Sequence, residues 1–149
     1  MTLENKINDD IKEAMKARNS DKLAALRAVK SNLVLEATKQ KKTVVNDEIV
    51  LKVIAKLVKQ RKDSVTIFIN QNRQDLADEE MRQLLHLEPY LPDQMGEEEL
   101  RKLVKGVINE LGVSSFSDIG RCIGVIMQRV GTKAEGSTVS KLVKEELSS

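Results

Sequence analysis

Two prolines, Pro89 and Pro92, stand three positions apart in a chain of 149 residues, and the chain contains no others. A proline lacks the backbone N–H, and it biases the residue before it away from the helical conformation. Two prolines in close succession therefore end one helix and delay the next until about residue 96. The pair predicts a longer helical unit followed by a smaller one.

Apolar residues recur at intervals of three and four on both sides of the prolines, which is the pattern of helices that bury one side. The first such series is Leu3, Ile7 and Ile11, and a longer one from Ile49 to Phe68 predicts a third helix from Asn46 to about residue 71. The β-branched run from Val65 to Ile69 is also compatible with a strand, but no partner strand is present. We therefore predict an all-α protein.

The predicted architecture is an N-terminal helical bundle with one long helix, over residues 1–93, followed by a small three-helix domain over residues 94–149. Side chains that can accept a hydrogen bond from the first helical turn are predicted to cap the helices. These candidates are Thr2, Asn46, Asn72 or Asp75, Ser115 or Ser117, and Ser137. Gly112 is predicted to end the first helix of the small domain.

Composition narrows the class of protein. Charged residues make up 32% of the chain and its mean hydropathy is -0.35, and no apolar run approaches the length that spans a bilayer. The N-terminus lacks the basic and apolar pattern of a secretory signal. Cys122 is the only cysteine and has no internal disulfide partner. These features predict a cytoplasmic protein that does not bind membranes.

Positive charge is concentrated in the first half of the chain. Residues 16–62 carry thirteen Lys or Arg and four acids, whereas residues 63–110 carry five bases and eleven acids. The basic candidates are Arg27 and Lys30 on the second helix and Lys52, Lys56 and Lys59 on the third. If the two helices are antiparallel neighbours, one shared surface could attract phosphates. Alternatively these are ordinary solvated side chains, with Arg27 and Lys30 paired to Glu36 or Asp63.

The segment from Gly131 to Gly136 is a second candidate for anion binding. It places Lys133 between two glycines just before a predicted helix, where free backbone N–H groups favour an anion. The candidate residues are Gly131, Thr132, Lys133, Ala134 and Gly136. A plain connection between two helices is the alternative. Gly120 and Gly124, four residues apart, are predicted to let another backbone pack closely.

No familiar catalytic constellation is present. His86 is the only histidine, so no metal site is predicted, and Cys122 lies on an apolar helix side as a core residue would. Nucleophile-elbow and glycine-rich phosphate-loop motifs are absent. Only three aromatic residues occur, too few for a base-stacking platform. We predict no cofactor, and whether the chain is an enzyme stays open, with the balance against it.

Several stretches together carry a family resemblance. They are Leu26-Arg27-Ala28-Val29-Lys30-Ser31 with Glu36, Lys59-Gln60-Arg61-Lys62-Asp63-Ser64, Tyr90-Leu91-Pro92-Asp93-Gln94, Ile119-Gly120 through Met127, and Gly131-x-Lys133-Ala134-x-Gly136. With them the chain resembles the bacterial YqeY proteins, the stand-alone members of the GatB/YqeY family, over essentially its full length. Its small C-terminal unit is similar to the tail domain of the GatB subunit of the glutamine-dependent aminoacyl-tRNA amidotransferase.

The resemblance implies an all-helical fold and a link to transfer RNA or to amidotransferase chemistry, because the GatB tail is known as a helical module that contacts tRNA. The part of GatB that binds nucleotide and metal has no counterpart here. We therefore expect a non-catalytic adaptor for tRNA or another structured RNA. One alternative is a module that docks on an amidotransferase or an aminoacyl-tRNA synthetase through the acidic residues 63–110. Another, by family association only, is a carbon–nitrogen ligase with glutamine as amido donor.

Overall fold

A computed structural model describes residues 2–41 and 44–148 of the chain. This part contains seven α-helices, three short 3-10 helices and no strand, so the predicted all-α class is confirmed. The α-helices are α1 (Leu3–Ala17), α2 (Ser20–Lys39), α3 (Asp47–Asn70), α4 (Gln74–Leu87), α5 (Glu97–Leu111), α6 (Ile119–Val130) and α7 (Gly136–Ser148). The 3-10 helices cover Glu88–Tyr90, Phe116–Asp118 and Gly131–Lys133. The chain forms two compact units, the first ending at Leu91 and the second beginning at Pro92.

In the first unit, α1 to α4 enclose one apolar core. Helix α1 packs on α2, α2 on α4, and α4 along α3, which at 24 residues is about 36 Å long. Burying a leucine or isoleucine side chain stabilises a fold by roughly 1.5–3 kcal/mol, and this core holds many of them. Its buried members are Ile7, Ala25, Leu26, Val29, Leu33, Val45, Val50, Ile54, Leu57, Val58, Leu84 and Leu87.

The starts of α1 and α3 are capped and tied together. Thr2 and Asn46 each accept a hydrogen bond from a backbone N–H in the first turn of their helix, at 3.2 and 2.9 Å, as predicted. The N–H of Leu3 donates to Asp47 Oδ1 at 2.9 Å, and the N–H of Val45 donates to Glu4 Oε2 at 3.2 Å. Since these bonds join residues more than forty positions apart, they fix where α3 begins relative to α1.

The two prolines act differently. The 3-10 helix Glu88–Tyr90 continues directly from α4, and Pro89 lies in the first turn of this 3-10 helix. A missing N–H costs little in a first turn, because that N–H has no partner within the helix. Leu91, just before Pro92, has φ -80° and ψ 149°, which is extended backbone. Pro92 is therefore the residue at which helical structure stops.

The other predicted caps are wrong, because these residues have different positions or hydrogen-bond partners in the structure. Asn72 has φ 59° and serves as the left-handed residue after α3, and α4 then begins at Gln74 without a side-chain cap. The hydroxyls of Ser115 and Ser117 hydrogen-bond each other at 2.7 Å, and α6 begins without a side-chain cap. Ser137 lies inside α7.

In the second unit, α5, α6 and α7 surround a separate core. Its buried members are Leu100, Val104, Val107, Val113, Cys122, Ile126, Val130, Val139, Leu142 and Val143. The Arg101 guanidinium on α5 donates to Glu145 and Glu146 of α7, each at 3.0 Å, and so links the two helices. Gly112 ends α5 at φ 62°, as predicted.

The glycine pair on α6 does not have its predicted role. A Cβ placed on Gly120 or Gly124 would meet nothing within 4 Å, and both residues are exposed. No other backbone of the described residues packs against them, so the prediction of a close helix contact is wrong for this part of the chain.

Tyr90 joins the end of the first unit to its first helix. Its ring packs against the first core, and its hydroxyl donates a hydrogen bond to Asp10 Oδ2 on α1. Burial raises the pKa of Tyr90 well above its usual value of 10.0, and the hydrogen bond to Asp10 and the charges of Asp10 and Glu13 raise it further. The neutral phenol is thus strongly favoured in the folded state.

We predict that Tyr90 resists ionisation in alkaline solution. Tyr90 is the only tyrosine and the chain has no tryptophan, so the ultraviolet absorbance of phenolate reports on this residue alone. In denaturant the phenol should titrate near pH 10, and in the folded chain clearly above it. Because the folded pKa is the higher one, the stability that this group contributes is complete below about pH 10 and declines as the pH rises.

Asp10→Ala should lower the folded pKa of Tyr90 only part of the way, since burial is the largest cause of the shift. Asp9→Ala is the matched control, because Asp9 is exposed on the same helix. Identical titration of Tyr90 in the folded and denatured chain would show that neither burial nor Asp10 acts on this phenol.

Candidate nucleic-acid interface

The turn between α6 and α7 is built around Gly131. This residue ends α6 with φ 56° and ψ -123°, a backbone conformation that a residue with a Cβ rarely adopts. The 3-10 helix Gly131–Lys133 follows, and α7 begins at Gly136. The side chain of Lys133 is exposed and makes no ion pair within the described part of the chain, whereas Glu135 is partly buried in the same turn.

Two residues just after Pro92 fasten this turn. Gln94 Nε2 donates to the carbonyl oxygen of Thr132 at 2.9 Å, and the N–H of Met95 donates to the carbonyl oxygen of Lys133 at 2.9 Å. Ala134 and Met95 both pack on the second core. Because its backbone is held in this way while its side chain is free, Lys133 can meet an anion at a fixed position.

On α3, Lys52, Lys56 and Lys59 share one side of the helix, away from the buried Val50 and Ile54. Lys52 lies 3.4 Å from Glu48, but both side chains are at least two-thirds exposed, and such pairs contribute roughly 0–1 kcal/mol. Neither Lys56 nor Lys59 pairs with a carboxylate of the described residues.

On α2 the two basic candidates differ. Arg27 is exposed and pairs with neither Glu36 nor Asp63, so that predicted alternative is wrong for the described residues. Lys30 does pair, but with Glu4 on α1, at 4.0 Å. Glu36 instead lies 3.4 Å from Lys39.

The structure groups these residues only in part. The three lysines of α3 form one row, and Lys133 stands in the fastened turn of the second unit. Arg27 and Lys30 lie about 60° apart around α2, and Lys30 is drawn towards α1. No hydrogen bond or ion pair of the described residues joins them to the lysines of α3, so a single shared phosphate surface stays a prediction.

Sequence patterns missed two features. Gln94 holds a turn 38 positions away, and no local signal marks such a partner. The apolar side chains of Val34, Leu35 and Val44 are 55%, 60% and 61% exposed. Exposed apolar side chains on α2 could have been predicted, because apolar residues occur around the whole circumference of this helix. The neighbouring helices cover only part of that circumference.

The described residues contain neither a metal-binding cluster nor an exposed thiol. They contain no group of three or more His, Cys, Asp or Glu side chains that could hold a metal ion. Cys122 is buried, and this burial raises the pKa of its thiol, which makes it a poor nucleophile. Among the same residues, every helix is too short or too polar to cross a membrane.

Comparison with known proteins shows the family. The sequence pattern of the YqeY-like proteins matches residues 4–147, and the chain therefore belongs to the YqeY-like family. A protein of Pyrenophora tritici-repentis named "Altered inheritance of mitochondria protein 41, mitochondrial" is 29% identical, over 94% of this chain and 78% of its own length.

Proteins of the same name from two yeasts are also similar. The Kluyveromyces lactis protein is 31% identical over 56% of this chain and 45% of its own length. The Vanderwaltozyma polyspora protein is 31% identical over 57% of this chain and 46% of its own length. The matched region thus spans less than half of either yeast protein.

We predict that Gln94→Ala loosens the 131–136 turn. Loss of the bond to Thr132 removes roughly 0.5–1.5 kcal/mol, so amide hydrogens of residues 131–135 should exchange about two to ten times faster. Hydrogen exchange measured by mass spectrometry tests this, with Asp93→Ala as the control because Asp93 is exposed and adjacent. Unchanged protection would show that α6 and α7 hold the turn without Gln94.

Proposed function

We propose that this YqeY-like chain is a non-catalytic adaptor that binds structured RNA, with transfer RNA as its ligand. The observation that supports the proposal is a set of exposed cationic side chains in both units that have no carboxylate partner in the described structure. Its members are Arg27, Lys56, Lys59 and Lys133. Lys52 joins them, because its pair with Glu48 is weak and easily exchanged for a phosphate.

Unpaired cations favour phosphate binding for a physical reason. An ammonium that already has a carboxylate must give up that partner to bind a phosphate, whereas an unpaired one only exchanges water. Each phosphate that is neutralised releases counterions, and the logarithm of the affinity then falls with the logarithm of salt by roughly 0.7–0.9 per contact. Four or five contacts would make binding strongly dependent on salt.

The aromatic residues favour folded RNA over single strands. Single-strand binders stack bases on exposed rings, but Tyr90 is hydrogen-bonded and partly buried, and Phe68 is partly buried as well. Phe116, which is 54% exposed, lies alone in a 3-10 helix. Recognition of backbone and shape, as in double-helical RNA, suits such a surface better than recognition of unstacked bases.

The choice of transfer RNA depends on the resemblance of the second unit to the GatB tail. The turn from Gly131 to Gly136 contains the Gly131-x-Lys133-Ala134-x-Gly136 pattern, which is one of the stretches that the resemblance is based on. Lys133 is exposed in this turn. The relation to amidotransferase chemistry is part of the same proposal. We assign the chain to the cytoplasm as a reducing compartment, in keeping with its single buried thiol, although the relatives named above carry mitochondrial names.

A protein-docking module is the second candidate function. Its candidate contact residues are the exposed apolar side chains of Val34, Leu35 and Val44, since apolar patches at a surface mark sites of protein contact. An amidotransferase or an aminoacyl-tRNA synthetase is the partner we consider. Docking would be favoured over RNA binding by two results together. The chain captures such a partner even after nuclease treatment, and the variant Val34→Ser/Leu35→Ser does not capture it.

We predict measurable tRNA binding that weakens steeply with salt. In filter binding at two salt concentrations, Lys133→Ala should weaken binding about three- to tenfold, as should Lys56→Glu/Lys59→Glu, and each should flatten the salt dependence. The matched controls are Lys141→Ala on α7 and Lys12→Glu/Lys16→Glu on α1, which change equal charge at other exposed positions.

Absence of binding at low salt would refute the proposal. So would equal losses in the variants and in their controls, since these would reflect net charge and not a site.

A further inference from the structure

A cavity of about 320 Å³ opens beside Tyr90 in the first unit. Helices α1, α2 and α4 and the 3-10 helix after α4 all contribute to it. Its lining residues are Lys6, Asp10, Lys22, Leu85, His86, Pro89 and Tyr90. This volume is at the lower end of the range for small-molecule sites, roughly 300–1,000 Å³. It is a separate feature from the basic residues considered above, none of which lines it.

Two cations, Lys6 and Lys22, line this cavity. Lys6 Nζ lies 5.9 Å from the centre of the Tyr90 ring, and Lys22 enters from α2. Neither ammonium makes an ion pair with a carboxylate of the described residues. The one carboxylate in the lining, Asp10, already accepts the hydroxyl hydrogen of Tyr90. The His86 imidazole adds a further N–H donor.

The rest of the lining is apolar and open. Leu85 is 72% exposed, the largest exposed fraction among the large apolar side chains of the described residues. Pro89 and the ring of Tyr90 continue this surface. A lining that combines two ammonium groups with apolar side chains matches a ligand that carries both an anionic group and an apolar, preferably flat, body.

We propose that this cavity binds a small phosphate monoester with a body about the size of a nucleoside. A phosphate monoester carries close to two negative charges at neutral pH, which matches the two ammonium groups of Lys6 and Lys22. Its body would lie against Leu85, Pro89 and the Tyr90 ring. The hydrogen bond from Tyr90 to Asp10 fixes the ring and keeps the carboxylate turned towards the hydroxyl.

Two sources share this chemistry, a free mononucleotide and the 5′-phosphorylated end of an RNA. The proposal does not depend on tRNA binding by Lys56, Lys59 and Lys133, because the two sites share no residue. Either can fail while the other stands.

Nuclear magnetic resonance titration of the full chain with adenosine 5′-monophosphate tests the proposal. We expect saturable shifts centred on residues 85–90, and at least about tenfold weaker binding of adenosine and of inorganic phosphate. Lys22→Gln and Lys6→Gln should each weaken binding of the monophosphate about five- to tenfold. Lys16→Gln, an exposed lysine on α1 outside the cavity, should leave binding unchanged.

A second arm compares a 5′-phosphorylated trinucleotide with its 5′-hydroxyl form. Tighter binding of the phosphorylated trinucleotide than of the mononucleotide would identify an RNA end as the source, and weaker binding would identify a free nucleotide. The proposal is overturned if the monophosphate gives no saturable shifts, if adenosine binds equally well, or if Lys22→Gln binds as the unchanged chain does. Amide spectra of each variant verify that it is folded.

Discussion

The missing N–H of Pro92 and the extended backbone that it favours at Leu91 are the constraint on which this structure depends. The helical segment that ends at Tyr90 does not continue through this point, and the apolar stripes before and after it are buried in separate cores. The result is two apolar cores, one centred on residues such as Leu26 and Ile54 and the other on Val104 and Ile126. Burial of these stripes in turn decides which polar side chains remain outside, and hence which surfaces can bind a partner.

Most of the fold could be predicted from the sequence, because the apolar residues of a helix recur at intervals of three and four along the chain. The apolar series of α3 and the caps at Thr2 and Asn46 depend on residues within a few positions of one another. The site could be predicted much less. The Lys30–Glu4 pair, the Gln94–Thr132 bond and the Tyr90–Asp10 bond join residues 26, 38 and 80 positions apart, and no sequence period links such positions. Asn72 shows the same limit locally, since an asparagine suits both a cap and a left-handed turn.

The two proposed sites use positive charge in different ways. Lys56, Lys59 and Lys133 are exposed points of charge, suited to phosphates that a large folded RNA presents at several places. Lys6 and Lys22 instead line one cavity together with apolar side chains, which favours one small anion. Both proposals therefore concern the binding of phosphate groups, by exposed lysines in one case and by a lined cavity in the other.

Covalent crosslinking in living cells, followed by identification of the bound RNA and of the crosslinked peptides, tests whether this chain holds folded RNA through its exposed lysines. We predict RNA enriched in tRNA, attached through peptides that contain Lys133 or the lysines of α3. Recovery of protein partners alone, unchanged by nuclease treatment and without any attached RNA, would contradict it.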